Sequence, residues 1–245
     1  MGRSYFIFKG RDCREMGIWL TGPLPIIRPE ERVEHVQIPG RAGDLTRTEG
    51  EDIYNSYIHT AEIHVPQGIH VRNVYDWLRG EGWLTSSSEP DRRQMARVIG
   101  AITLDKVSKN LDIWRGTAQF YCQPLKQLLW EEKVTISAAG TVTNNGDVPA
   151  KPLYKITAGS TGTVVLTVSR TVGSSTSSET ITITGVGSGS VVYVDSELME
   201  VLNYTGAVSL APYASGDFPL LRPGDNSISG SGWASIEITK RERYL

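Results

Sequence analysis

The chain has 245 residues with 25 basic and 27 acidic side chains, which gives a formal net charge of −2. This length allows one large all-β domain or two domains of ordinary size. A near-neutral chain without a basic run argues against nucleic acid or an anionic membrane as the main partner. The longest apolar stretches are only a few residues, too short to span a bilayer.

Cysteine usage and the first residues bear on where the protein is made. Only Cys13 and Cys122 are present, and no C-x-x-C pair exists to hold zinc. The apolar run at residues 5–8 is shorter than that of a signal peptide and has no small-residue cleavage site. We therefore expect two reduced, structural thiols in a protein made in the cytoplasm.

The composition changes near residue 130. Residues 1–130 hold five of the six tryptophans, whereas 28 of the 54 residues from 137 to 190 are Gly, Ser or Thr. The change falls in the polar, proline-containing stretch 123–132, and linkers favour such stretches. We predict one domain over residues 1–130 and a second over residues 131–245.

The first half is predicted to be mainly β with one helix. Alternation and turn residues indicate strands over 4–9, 34–38, 57–65, 95–103 and 111–121, with a turn near Lys109-Asn110. The helix covers residues 71–78, because Val71, Val74, Tyr75 and Leu78 share one face and Gly80 follows as a stop. Together these elements predict a mainly β N-terminal domain with one helix.

The second half is predicted to be β throughout. Short strands are indicated over 163–168, 180–184, 190–194, 198–204 and 234–239, and residues 174–178 form a hairpin tip. Strict period-two alternation in 180–184 and 235–239 is typical of a sheet with one buried face. The spacing of strands and turns predicts a β-sandwich.

No motif indicates catalysis, a cofactor or a metal. His59 and His64 differ by five positions, so they face opposite sides of a regular strand, and surface or interface histidines are the simpler interpretation. Carboxylates are plentiful, but arginines surround them, and solvated ion pairs explain them better than a glycosidase pair. A G-x-S-x-G elbow and a Walker loop are both absent from the sequence. We expect that the protein is not an enzyme and that it has neither a cofactor nor a metal site.

The aromatic side chains offer possible contacts with other molecules. Trp83, beside Gly82, is the best candidate among the tryptophans, whereas Trp77 extends the packing face of the helix. Surface aromatics on a β-sandwich can stack on sugars or anchor subunit interfaces. Tyr204, Tyr213 and Trp233 are therefore candidate glycan contacts of the C-terminal domain.

One segment resembles a known family. The run Val36-Gln37-Ile38-Pro39-Gly40-Arg41-Ala42-Gly43-Asp44-Leu45 is similar to the "v-x-i-P-G-R-x-G-x-L" segment of the distal tail (Dit) proteins of long-tailed (siphovirus) bacteriophages and prophages. Further similar pieces follow in the family's order: residues 6–10, 16–18, 74–78, 82–84, 88–91, 116–124, 143–146, 151–152, 193–197 and 218–226. The resemblance covers nearly the whole chain.

The resemblance implies a structural hub of the phage tail tip or baseplate. It implies that the N-terminal domain is a β-sandwich with one helix that forms a homo-hexameric ring. The C-terminal domain would be a galectin-like β-sandwich that projects outward. Implied partners are the tail tube protein, the tail-associated lysin or baseplate hub protein, and receptor-binding proteins, with no specific nucleic-acid or membrane binding. The protein would be made in the host bacterial cytoplasm and reside in the virion.

The long loop 30–50 is the expected subunit interface. Long β connections usually have a function, and interfaces suit mixed charge with aromatic residues. The expected interface residues are Pro39, Gly40, Arg41, Asp44, Arg47 and Trp83. A solvated hairpin is the alternative for the loop. For the whole chain, the alternatives are a carbohydrate-binding module that contacts the host cell wall and, less favoured, a wall hydrolase.

Overall fold

The computed structural model describes residues 4–48, 50, 52–204 and 208–245. The chain forms two compact units, one ending at Leu129 and including Leu245, the other covering Trp130–Tyr244. Each unit has its own hydrophobic core, and both are built almost entirely of antiparallel strands. The predicted mainly β fold is confirmed. None of the helices in the described part of the chain has the length and apolarity that a membrane crossing needs.

The described residues of the first unit form ten strands and one α-helix. The elements are β1 (Phe6–Phe8), β2 (Arg11–Asp12), β3 (Trp19–Leu20), β4 (Val33–Val36), β5 (Leu45–Thr48), β6 (Tyr57–Val65), α1 (Val71–Trp77), β7 (Glu81–Ser86), β8 (Glu89–Ser108), β9 (Leu111–Cys122) and β10 (Lys126–Leu128). The main sheet has the order β2-β1-β7-β8-β9-β6-β3, and β10 pairs with the start of β8. Strands β4 and β5 form a separate two-stranded sheet.

Helix α1 packs on the core of this unit through Val74 and Trp77. The Trp77 ring stacks on Phe6 with 5.3 Å between ring centroids, and its Nε1 donates to the Phe8 carbonyl at 3.1 Å. The helix ends at Trp77, with Leu78 as the C-cap. The predicted helix and the inward Trp77 are confirmed, but Tyr75, which the spacing placed on the packing face, is exposed.

The long strands β8 and β9 approach closely at Gly116. The register of the pair shifts between Ile99 and Thr103, beside Gly100, whose φ of +68° favours glycine. A Cβ at Gly116 would lie 1.8 Å from the Thr103 carbonyl oxygen, so no larger residue fits there without moving β8. The turn at residues 109–110 lies where the sequence predicts it.

The second unit is a two-sheet sandwich, as predicted. Its strands are β11 (Lys133–Ile136), β12 (Gly140–Asn144), β13 (Leu153–Ala158), β14 (Gly162–Val172), β15 (Ser175–Val186), β16 (Val191–Asp195), β17 (Glu200–Asn203), β18 (Ala214–Gly216), β19 (Gly224–Ser231), β20 (Trp233–Thr239) and β21 (Arg243–Tyr244). The two sheets have the orders β11-β20-β13-β16-β17 and β12-β19-β14-β15-β18. The hairpin tip consists of residues 173–174, so the prediction of a tip over 174–178 is wrong for residues 175–178, which pair with the end of β14 as the start of β15. The strand predicted over 198–204 is shorter, because Leu198 and Met199 lie in an exposed turn.

An ion-pair network holds residues 240–243 on the second unit. The Arg241 guanidinium donates to both carboxylate oxygens of Asp195, at 2.7 and 3.0 Å. Lys240 is buried between Glu132, at 2.7 Å, and Glu242, at 3.0 Å. Burial alone would raise the pKa of Asp195, but the hydrogen bonds from Arg241 and from the Leu198 amide lower it overall.

Candidate interaction surfaces

The strands β4 and β5 form an exposed hairpin, residues 33–48, here called the arm. Val33 pairs with Thr48 and Val36 with Leu45, so the strands are in continuous register. The base of the arm is held by the flanking segments, since the Arg32 amide donates to the Ile53 carbonyl at 2.8 Å. The arm is therefore anchored at its base and surrounded by solvent beyond it.

The arm leaves three apolar side chains partly exposed to solvent. Val36, Ile38 and Leu45 are 36%, 40% and 42% exposed. A two-stranded hairpin alone is marginally stable in water, and contiguous apolar exposure marks interaction sites. The arm is suited to bury these side chains against another molecule.

Five of the six residues predicted at a subunit interface lie on the arm. Pro39, Gly40, Arg41 and Asp44 lie in the connection between the strands, and Arg47 lies on β5 opposite Glu34. Gly40 has a φ of +82°, which favours glycine at this turn. Within residues 4–48, 50, 52–204 and 208–245, no ion pair joins Arg41, Asp44 or Arg47 to another side chain. These charges are available to a partner.

Trp83, the sixth predicted residue, lies elsewhere, on β7 of the main sheet. Its ring is half-buried, and the Arg93 guanidinium lies 4.4 Å from the ring centroid. This cation–π contact orients Arg93 and covers one face of the indole. Trp83 and the arm therefore belong to different sheets of the first unit.

The three candidate glycan contacts do not share one strand or one environment. Tyr204 and Tyr213 are 68% and 56% exposed, close to the ends of β17 and β18. Trp233 lies on β20 and packs against the second core, with its Nε1 buried. Two exposed tyrosines remain as stacking surfaces on this unit.

The histidines do not form a metal site. His59 and His64 face opposite sides of β6, as predicted, but His59 is buried, so its prediction as a surface or interface residue is wrong. Its position on the inward row of β6 with Ala61 and Ile63 explains the burial. The described residues contain no group of three metal-ligating side chains, and both cysteines are free and buried.

A small polar notch was not predicted from the sequence. It is lined by His59, Leu84, Ser86, Glu89, Arg92, Arg93, Gln94 and Lys126. Lys126 is almost fully buried and contacts Glu89 at 2.7 Å. Burial and the positive charge of Lys126 lower the pKa of His59 to about 4, although Glu89 opposes the shift. No local motif in the sequence could have revealed the notch, because four separate strands supply the residues that line it.

Comparisons with known proteins found similarity in three-dimensional structure. No protein-family model and no curated protein matches the sequence. The Dit (gp 19.1) protein of phage SPP1, described as "a paradigm of hub adsorption apparatus in Gram-positive infecting phages", has a similar structure, with a TM-score of 0.80, 17% identity and 100% of both chains covered. Chains of the phage P2 baseplate in its activated conformation with Ca and with Sr match with TM-scores of 0.50 at 8% identity. The first match covers 100% of this chain and 99% of that one, and the second covers 97% of each. These matches show that the chain has the fold of the SPP1 Dit protein.

Proposed function

We propose that this protein is a structural hub of a bacteriophage tail tip or baseplate. The observation that carries the proposal is the correspondence with the SPP1 Dit protein over the full length of both chains. The two baseplate chains are weaker matches that support the same role. The proposed location is the tail tip of the virion, after assembly in the host bacterial cytoplasm, and the proposed role is structural and not enzymatic.

The hub acts as a hexameric ring in this proposal. An arm that contacts a different surface on the next copy makes a heterologous contact, and such contacts close into a ring when the rotation fits. The exposed apolar side chains of the arm and the unpaired charges of Arg41, Asp44 and Arg47 suit this contact. The domain over residues 1–130 forms the ring, and the galectin-like domain over 131–245 projects outward.

The ring joins two sets of partners. One face binds the tail tube protein, and the other binds the tail-associated lysin or baseplate hub protein, with receptor-binding proteins attached to the same assembly. The net charge of −2 fits a ring through which DNA passes without specific binding.

The first test is the mass in solution, measured by light scattering after size exclusion over a range of concentrations. A hexamer has a mass of about 161 kDa, six times 26.9 kDa. In a matched variant, Asn-Gly replaces residues 37–44, which keeps β4 and β5 joined by a tight turn and removes the connection. We expect the wild type to form hexamers and the variant to remain monomeric with unchanged urea unfolding. A monomeric wild type at every concentration, or a hexameric variant, would contradict the arm's role.

A carbohydrate-binding module is the second candidate, because Tyr204 and Tyr213 are exposed. Pull-down of the full chain by purified cell walls tests it, with the double variant Tyr204→Ala, Tyr213→Ala as the comparison. Binding that the variant loses would support a glycan contact. Equal retention, or no retention of either protein, would remove this candidate. A zymogram on cell walls without clearing would remove the hydrolase alternative.

A further inference from the structure

Two residues that line the notch of the first unit each have a buried nitrogen atom without a hydrogen-bond partner. The two atoms are His59 Nδ1 and Arg93 Nε. His59 is only 4% exposed. Buried polar atoms are nearly always hydrogen-bonded in native proteins, so two unpartnered nitrogens on residues that line one cavity point to a polar ligand there.

The notch also has an excess of positive charge. Three cationic side chains line it against one acidic side chain, that of Glu89. Glu89 is engaged with Lys126 at 2.7 Å and with Arg92 at 3.2 Å, and Lys126 also lies 3.5 Å from a carboxylate oxygen of the last residue, Leu245, so that two anions stand against three cations. Arg93 contacts the Trp83 ring, and none of the described carboxylates pairs with it. The notch therefore favours an anionic ligand over a neutral one.

The size of the notch limits which anion can enter. Its cavity volume is about 10 Å³, which is room for one oxygen atom. A carboxylate can place one oxygen inside while the remainder stays at the opening, and the planar guanidinium is the donor that matches a carboxylate best. A tetrahedral phosphate would leave its other charged oxygens outside this donor set.

We propose that the notch is a binding site for a single carboxylate group, which accepts hydrogen bonds from Arg93 Nε and from His59 in the tautomer that carries hydrogen on Nδ1. The group comes from a free carboxylate or from an acidic side chain of a second copy of this chain. The exposed arm carries two such side chains, Glu34 and Asp44. The site does not depend on the proposed hub function.

Formate is the smallest probe of this site, and formamide is its uncharged counterpart. Saturation-transfer NMR on the full chain at pH 7, at constant ionic strength set with sodium chloride, gives the dissociation constant of each. We expect saturable formate binding, at least about tenfold weaker formamide binding, and a loss of about tenfold or more in Arg93→Gln, the scale of a lost charge-assisted hydrogen bond. Arg97→Gln, an exposed arginine on the same strand, is the matched control and should match the wild type.

The pH dependence gives a readout that a merely structural role would not produce. His59 shares the notch with Arg92, Arg93, Lys126 and Glu89, and the Tyr57 ring lies 5.2 Å from the imidazole. A bound carboxylate adds a negative charge to this set and favours protonated His59, so formate should bind more tightly at pH 5 than at pH 7. His59→Asn retains a donor near the Nδ1 position, and we expect it to bind formate without this tightening. Equal binding of formate and formamide, or an Arg93→Gln variant that binds like the wild type, would show that the notch holds only water.

The source of the carboxylate is identified by the mass in solution during the formate titration. If formate lowers the mass of the assembled wild type, and Asp44→Asn or Glu34→Gln has the same effect, a second copy supplies the group. If formate binds and the mass is unchanged, the ligand is a free carboxylate. A monomeric wild type would contradict the hexamer proposal, whereas the carboxylate proposal would still be decided by the binding of formate and formamide to the monomer.

Discussion

Replacing the apolar pair Val36 and Leu45 of the arm by serine should weaken assembly without weakening the folded subunit. These residues lie opposite each other on β4 and β5 and are 36% and 42% exposed. Full burial of such a side chain contributes about 1.5–3 kcal/mol, so covering the exposed fractions contributes about 0.5–1.3 kcal/mol each. We expect a loss of about 1–2.5 kcal/mol per contact between subunits.

That loss corresponds to a dissociation constant raised roughly 5- to 70-fold per contact. A closed ring of six copies has six such contacts, so the effect on the whole hexamer accumulates. Light scattering at several concentrations should show the hexamer of Val36→Ser, Leu45→Ser dissociating at concentrations where the wild type remains assembled. Urea unfolding of the dissociated subunit should be unchanged within about 0.5 kcal/mol, because neither side chain belongs to the core.

Two control variants separate this effect from general ones. Thr46→Ser lowers strand propensity on the arm without removing a large apolar group, and Val172→Ser removes an exposed apolar group at the tip of β14, in the second unit. Both should assemble like the wild type. An unchanged hexamer in the Val36, Leu45 variant would refute the argument that these side chains are buried between subunits. A fall of more than about 1 kcal/mol in subunit stability would show that the arm already packs on its own subunit.

Two further predictions concern stability. The pKa of Asp195 is lowered, so its ion pair with Arg241 stabilises the fold above the ordinary carboxyl pKa, and this stabilisation is lost as the pH falls through the folded-state pKa. Asp195→Asn should therefore lower the free energy of unfolding in urea by about 2–4 kcal/mol at pH 7 and should reduce the further loss of stability below about pH 4. If stability below pH 4 falls as steeply in the variant as in the wild type, the assignment is contradicted. Gly116→Ala should lower the free energy of unfolding by about 3 kcal/mol or more, because the new Cβ would lie 1.8 Å from the Thr103 carbonyl oxygen. Gly22→Ala is the control, because a Cβ there has open space around it. Equal unfolding midpoints for the two variants would disprove the close approach at Gly116.

The arm illustrates how far the sequence alone reaches. The glycines and Pro39 mark the connection, and the long loop predicts an exposed, functional segment. What could not be predicted is that β4 and β5 pair only with each other, since strand pairing depends on which edges the rest of the chain leaves open. The same holds for Trp83: its neighbour Gly82 is visible in the sequence, but its contact with Arg93 follows from the register of β7 and β8.

The sequence by itself determined the local features of this protein. Period-two alternation fixes the inward row of β6 and of β20, and 3.6-residue spacing fixes α1 and places Trp77 inward. Only the tertiary structure decided which strand faces and side chains pack against each other. It buried His59 beside Glu89 and Lys126, which are 30 and 67 residues away, and it put Trp233 against a core. The physical reason is that alternation depends on neighbours along the chain, whereas burial and charge pairing depend on residues that only folding brings together.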